Sequence, residues 1–486
     1  MRTKKIFYSW RYRLRPGTGR APAASSGRGA WEWAVDAQSD GEGAKGGLRR
    51  VLSLWDLILY GIVLIMPIGA APLFGIVQQL SHGQAVSTLL LAMVAMTLTA
   101  YSYGRLASLH PLAGSAYTFV GSELNAHLGF LAGWAMFLDY LLVPVVCILY
   151  ASLALQRLVP GLPYWFWCAL IACILTAINL GGIRATANMN LLFLAAALAV
   201  ILPFLGLAAK WLYLRAGWPG LLSTQPFYSR DAFHLKYLAS GTAVAALTYG
   251  GFDGISTLSE EARNPQRDIL LATVFVCIFT GIFGGLQIYL AQRVLPGYRH
   301  LAHVDTAFLD AAETVGGPRL FHGLAVVLVA TNLGSGLTAQ AGVSRLLYRM
   351  GRDGALPRFP FSRIGSARAV PVYNVLLVGA LAFGGCLWLS YERAAELINF
   401  GAFLAFMGVN ASAIRAFYWR RAKGNRNALF DLAAPAAGFV FCLYIWLNLG
   451  REAKLVGAVW FAAGLLFDAI LTKGFTVSPS AIRLDP

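Results

Sequence analysis

Charge is what this sequence has least of. Asp, Glu, Lys and Arg make up only 13% of its 486 residues, against 58% hydrophobic residues and a mean hydropathy of +0.61. That balance excludes an ordinary soluble domain. Cysteine is scarce as well. All six (Cys147, Cys168, Cys173, Cys277, Cys386 and Cys442) lie inside apolar runs, and none forms a CxxC pair, so neither a disulfide framework nor a metal centre is expected. His300 and His303 lack a third ligand nearby in the chain. There is no ATP-binding P-loop and no large soluble segment, which excludes an ATP-driven pump within this chain. No nucleophile–base pair stands out, so no catalytic residue and no cofactor is expected. Alternating polar and apolar runs are also missing, which excludes a membrane β-barrel.

Acidic residues are the rarer charged class: 22 against 39 basic ones, a net charge of +17. Retention of basic residues in cytoplasmic loops explains this excess without a nucleic-acid partner.

What is present is a series of apolar runs long enough to cross a bilayer. They read as twelve spans: 53–80, 85–109, 128–157, 163–181, 188–212, 238–258, 268–292, 319–347, 371–390, 394–418, 429–449 and 453–473. The fold expected is therefore an all-α polytopic membrane protein, and the bilayer is its first partner. Twelve spans put both termini on one side. Arg49, Arg50, Arg105, Arg184, Arg345, Arg349, Arg368, Arg421 and Lys423 fall in the loops of that side, the richer in basic residues, which makes both termini cytoplasmic. The longest outer loops, 213–237 and 293–318, are too short for domains. Residues 1–47 are Arg-, Gly- and Ser-rich and read as a disordered basic tail, or as a start codon assigned too far upstream. Residues 48–473 form the membrane domain, and 474–486 a short cytoplasmic tail.

Two spans are interrupted. Span 1 carries Met66-Pro67-Ile68-Gly69-Ala70 near its middle, and span 6 carries Tyr249-Gly250-Gly251-Phe252-Asp253-Gly254. Proline removes a backbone donor, and glycine frees the backbone. Unwound backbone is tolerated at membrane depth only where protein or a watery cavity satisfies it. Interrupted helices in corresponding positions of two halves point to a solute site between inverted repeats, about 53–212 and 238–418, with 429–473 as extra helices. An acid at the bilayer centre costs roughly 2.5–3.5 kcal/mol on insertion scales, so Asp253 is expected to face a cavity or a partner. Asp139 in 137-FLDYLLVP-144 is a second embedded acid: a substrate contact or a helix-linking hydrogen bonder. Tyr249, Phe252 and Tyr140 suit a cation–π wall, with plain aromatic packing as the alternative. Asn399 either lines the cavity or bonds a neighbouring helix. Asp56 and Asp468, near helix ends, are expected to reach the interface. Gly281 and Gly285 have the spacing of a close helix contact.

Three further segments carry a resemblance: 258-LSEEARNPQRDI-269, 111-PLAGSAYTFVGSELNAHLGFLAGW-134 and 343-VSRLLYRMGRDGALP-357. With 249-YGGFDGISTLSEE-261 and 397-LINFGAFLAFMGVN-410, they identify a chain similar to the amino acid–polyamine–organocation superfamily of secondary carriers. It most resembles the putrescine-importer group of that superfamily. The resemblance implies a five-plus-five inverted repeat of leucine-transporter type, followed by two extra helices. It also implies a substrate held between the breaks of helices 1 and 6 and an ion gradient, commonly of protons, as driving force. Asp253 matches an acid important in some relatives. Two departures stand out. The helix-1 run is poorer in glycine than in amino-acid carriers, which favours an amine lacking a carboxylate. Span 5 has no lysine before Lys210, so the lysine proton relay of some relatives does not carry over.

The reading is a secondary active importer of a small amine or amino acid, putrescine-like polyamines favoured, in the bacterial inner membrane. Substrate-binding candidates are Met66, Pro67, Ile68, Gly69, Ala70, Tyr249, Gly250, Gly251, Phe252, Asp253, Asp139 and Tyr140. Asp253 either pairs with the substrate ammonium or carries the coupled proton. An exchanger on the same fold, or a non-transporting membrane sensor, is the alternative. Neither the oligomeric state nor the exact substrate follows from the sequence.

Overall fold

The structure, a computed structural model, describes residues 50–110, 115–181, 187–228, 230, 233–352, 356–365, 370–420 and 426–476. The basic tail 1–47, the end of the C-terminal tail, residues 111–114 and 353–355, and Arg49, Arg184, Arg368, Arg421 and Lys423 lie outside these residues.

Among the described residues the fold is all helical, and nine helices are long and apolar enough to cross a membrane. The chain runs α1 (Leu54–Ile65), α2 (Phe74–Leu80), α3 (Ala85–Leu109), α4 (Ser115–Glu123), α5 (Ala126–Leu158), α6 (Tyr164–Gly181), α7 (Ala187–Leu221) and α8 (Leu235–Ala245). It continues with α9 (Pro265–Val294), α10 (Ala307–Arg352), α11 (Val372–Trp388), α12 (Tyr391–Ile414), α13 (Ala434–Leu447) and α14 (Arg451–Leu471). The short helices α1 and α8 are the first parts of the two interrupted segments.

Local chemistry sets the helix ends. Ser53 and Asp56 cap α1 reciprocally: the Ser53 amide donates to Asp56 at 2.9 Å, and the Asp56 amide donates to the Ser53 hydroxyl. Asp56 is thus a cap. Pro265 opens α9 at a position where a missing N–H costs nothing. The expected loop 293–318 is partly helical. Residues 307–316 form the start of α10, which bends at Gly317 (φ 66°) before Pro318. Phe308, Leu309, Ala311 and Ala312 are buried there, an apolar face too short to register as a span.

Small residues let the helices pack closely, as lipid tails give them no hydrophobic driving force to associate. A β-carbon on Gly104 would strike the Leu270 backbone of α9, and one on Gly281 would strike Met93 of α3. Gly281 is therefore a close-contact position. Gly401 of α12 lies against the Ala135 carbonyl of α5, with no room for a β-carbon. The last helix docks on α5 through Trp134 and Trp460. Their rings stack at 4.9 Å, and each indole N–H donates to the other's backbone carbonyl, at 2.9 and 3.1 Å. Asp468 does not reach the interface. It is fully buried and bonds His127 of α5 at 2.9 Å, because α14 packs against the first half of α5.

Replacing Gly401 with valine should separate α5 from α12, at a cost of about 1–3 kcal/mol. Gly342, where a β-carbon meets nothing, serves as control. In detergent, Gly401→Val should lower the thermal midpoint by several degrees and Gly342→Ala should not. Equal midpoints for the two variants would contradict this packing.

Candidate functional site: a cavity at the second break

Both expected interruptions are present. α1 ends at Ile65, and Met66 takes φ 61° and ψ 117°, outside helical space. The Gly69 amide then donates to the Met66 carbonyl at 2.9 Å and the Ala71 amide to the Ile68 carbonyl at 3.0 Å. A 3₁₀ turn, Ala71–Leu73, leads into α2. The other segment leaves α8 as a 3₁₀ turn, Ala246–Tyr249, opens at Gly250 and Gly251, and resumes as 3₁₀ helix Phe252–Leu258. Gly251 has φ 103°, which strains any side chain, and Leu64 of α1 closes the space beside it.

Neighbouring helices satisfy much of the opened backbone. Gln287, fully buried on α9, donates to the Pro67 carbonyl at 2.7 Å. Asn399 of α12 donates to the Ala243 carbonyl at 2.6 Å, and the Tyr249 hydroxyl donates to the Leu89 carbonyl of α3 at 2.8 Å. The Ser256 hydroxyl takes the Asp253 carbonyl at 2.6 Å. Orphan backbone groups at a helix end in hydrocarbon would each cost several kcal/mol, so the Gln287, Asn399 and Ser256 donors offset part of the cost of the breaks, while Tyr249 fastens the second break to α3.

The Asp253 carboxylate is different. It is 6% exposed and lines a narrow cavity with about 20 Å³ of free space, nearly closed in this conformation. Ala246, Leu247, Tyr249, Gly250 and Gly251 line it from the break, Met96 from α3 and Asp139 from α5. Ile398, Asn399, Ala402, Phe403 and Phe406 of α12 close it. No Lys, Arg or His is on this wall. Among the described residues, no salt bridge involves Asp253 or Asp139.

The structure thus brings together five of the expected residues: Asp139, Tyr249, Gly250, Gly251 and Asp253. Phe252 is turned away from the cavity and fully buried against Tyr103 and Phe406, with ring centroids at 5.5 and 5.3 Å. Tyr140 is 43% exposed and not on the wall, though within Coulombic range of both acids. Met66, Pro67, Ile68, Gly69 and Ala70 do not line this cavity. The Pro67 carbonyl and the Ala70 methyl meet α9 at Gln287 and Gly284. Of the α12 wall the sequence singled out only Asn399, which both lines the cavity and bonds the Ala243 carbonyl; Ile398, Ala402, Phe403 and Phe406 were not expected there. Gln287 had a signal too, as a polar side chain in the middle of an apolar span.

Beyond the break, the chain ties back to the start of α1. The Val51 and Leu52 amides donate to the Glu261 carbonyl at 2.9 and 3.0 Å, and the Arg263 amide donates to the Leu52 carbonyl at 2.9 Å. The Arg263 guanidinium adds a bond to the Val51 carbonyl at 2.9 Å. Burial, with Glu260 alongside, pushes the Glu261 carboxyl above its ordinary value. The acidic-basic run 260–268 therefore works locally, as a strap between the two interrupted segments.

A family model described as amino acid permease matches residues 58–452. The low-affinity putrescine importer PlaP of Escherichia coli K12 is 34% identical over 434 residues, 88% of this chain and 95% of its own length. The methylthioribose transporter of Bacillus subtilis is 25% identical over 454 residues, 86% of this chain and 92% of its own. The vacuolar cationic amino acid transporter 4 of Arabidopsis thaliana is 28% identical over 382 residues, covering 74% of this chain and 62% of the transporter.

Gln287→Leu keeps the volume of the side chain but leaves the Pro67 carbonyl without its donor. A lost buried partner costs about 1–3 kcal/mol. The thermal midpoint in detergent should fall, while Gln287→Glu, where the carboxyl is protonated and still donates, should fall less. An unchanged midpoint in Gln287→Leu would show that the Pro67 carbonyl finds another donor.

Proposed function

The chain belongs to the amino acid permease family, a family of multi-pass membrane transporters for amines or amino acids, and from that premise we propose that it is a secondary carrier that imports a small amine by alternating access, driven by a proton gradient.

 

The carrier operates as twelve spans in a five-plus-five inverted repeat (53–212 and 238–418), with 429–473 as extra helices, in the bacterial inner membrane and with both termini cytoplasmic. The observation that carries this reading is the Asp253 carboxylate, buried at the second break and facing a cavity that holds no basic side chain. A buried charge is retained where a counter-charge arrives, and here the counter-charge is a substrate ammonium or the coupled proton. The identity to a putrescine importer, together with a first break poor in glycine, favours a polyamine such as putrescine over an amino acid. The strap between Val51–Leu52 and Glu261–Arg263 suits a carrier whose two interrupted segments move together at that end.

Proteoliposomes with an imposed pH gradient test this directly, with labelled putrescine, agmatine, lysine and a neutral amino acid. Putrescine uptake should depend on the gradient and collapse with a protonophore. Asp253→Asn should lower it roughly thirtyfold or more, since losing one partner of a buried charge pair costs about 2 kcal/mol or more. Uptake that needs internal substrate and ignores protonophores would make the protein an exchanger. No flux of any of the four solutes would make it a sensor. Normal, still proton-coupled uptake by Asp253→Asn would remove Asp253 from the mechanism.

A further inference from the structure

The cavity holds two carboxylates, on different elements. Asp253 comes from the second break and Asp139 from the middle of α5, and the two lie within Coulombic range of each other. Asp253 is buried and Asp139 half-buried, so a monoamine that neutralised one would leave the other in the cavity without a counter-ion, which costs more than an unpaired surface charge. The rest of the wall is mainly apolar: Met96, Leu247, Phe403 and Phe406 offer carbon and aromatic surface. Two acids on one mainly apolar wall match a molecule with two ammonium groups joined by methylenes. The same wall has no cationic side chain to receive a carboxylate, and one of the two N–H groups of the Asn399 amide already serves the Ala243 carbonyl.

We propose that Asp139 is the specificity-determining residue of this cavity: it takes the second ammonium of a linear diamine whose first ammonium pairs with Asp253. The proposal rests on the amine-transport reading and adds to it a means of rejecting monoamines and amino acids.

The test measures uptake of 1,4-diaminobutane into proteoliposomes and its inhibition by butylamine, ornithine, 1,3-diaminopropane and 1,5-diaminopentane. The native protein should prefer diaminobutane to butylamine at least thirtyfold. Asp139→Asn should reduce that ratio at least tenfold. Asp139→Glu carries its carboxylate one methylene further into the cavity, and should move the preferred diamine one methylene shorter. All readouts are ratios within one preparation, so a lower folded yield cancels. An unchanged ratio in Asp139→Asn would overturn the proposal. So would an Asp139→Glu protein that binds every diamine more weakly but in the native order, since that is what a merely structural acid would give. A native protein that takes up no amine at all defeats the transport reading itself, an outcome separate from amine uptake with an indifferent Asp139.

Discussion

A carboxylate that the protein leaves without a cation is the constraint on which the rest of this structure depends. Asp253 is 6% exposed, and no basic side chain shares its cavity. Burying a charge is costly unless it is paired or neutralised, and folding alone gives no return on that cost here. The surrounding architecture makes sense as a means of holding the acid in place until a positive species reaches it. Gly250 and Gly251 open the chain just before it, and Phe252 anchors the next residue in an aromatic cluster with Tyr103 and Phe406.

Opening a membrane helix creates a second demand, for hydrogen-bond partners, and two distant segments help to meet it. Gln287 of α9 serves the first break and Asn399 of α12 the second, while Tyr249 fastens the second break to α3. These bonds replace water at depth and leave the interrupted segments attached to specific neighbours. Asn399 does two things at once, since it also lines the cavity. Movement of α12 relative to the break would therefore change both the cavity wall and the hydrogen bonding of the broken segment.

Much of this was legible in the residues. Proline and glycine within apolar spans marked both interruptions, because their backbone chemistry acts locally. Asp253 and Asp139 stood out because an acid in an apolar run is rare for energetic reasons. The family resemblance rested on the same segments and agrees with the amino acid permease match. What could not be read was direction. Nothing in Met66–Ala70 says that its carbonyl turns toward α9, because that depends on a glutamine more than 200 residues away. Phe403 and Phe406 carry no mark separating a cavity wall from ordinary packing in a chain that is 13% aromatic. Asp468 looked like an interfacial acid by its position near a helix end, and only the docking of α14 on α5 buries it against His127. The helix at 307–316 escaped because it is too short for a span, although its apolar face is buried.

The central claim is that Asp253 faces a cavity which an amine occupies. Replacing the six native cysteines and introducing Ala402→Cys on the cavity wall, which keeps both acids, permits a direct measurement on purified, detergent-solubilised protein, where both faces are open to reagent. The rate of labelling by a small cationic thiol reagent is read with and without 1,4-diaminobutane. The account predicts slow but complete labelling without the diamine and at least tenfold slower labelling with it. A thiol that never reacts, or that reacts at the same rate whether or not the diamine is present, would contradict it.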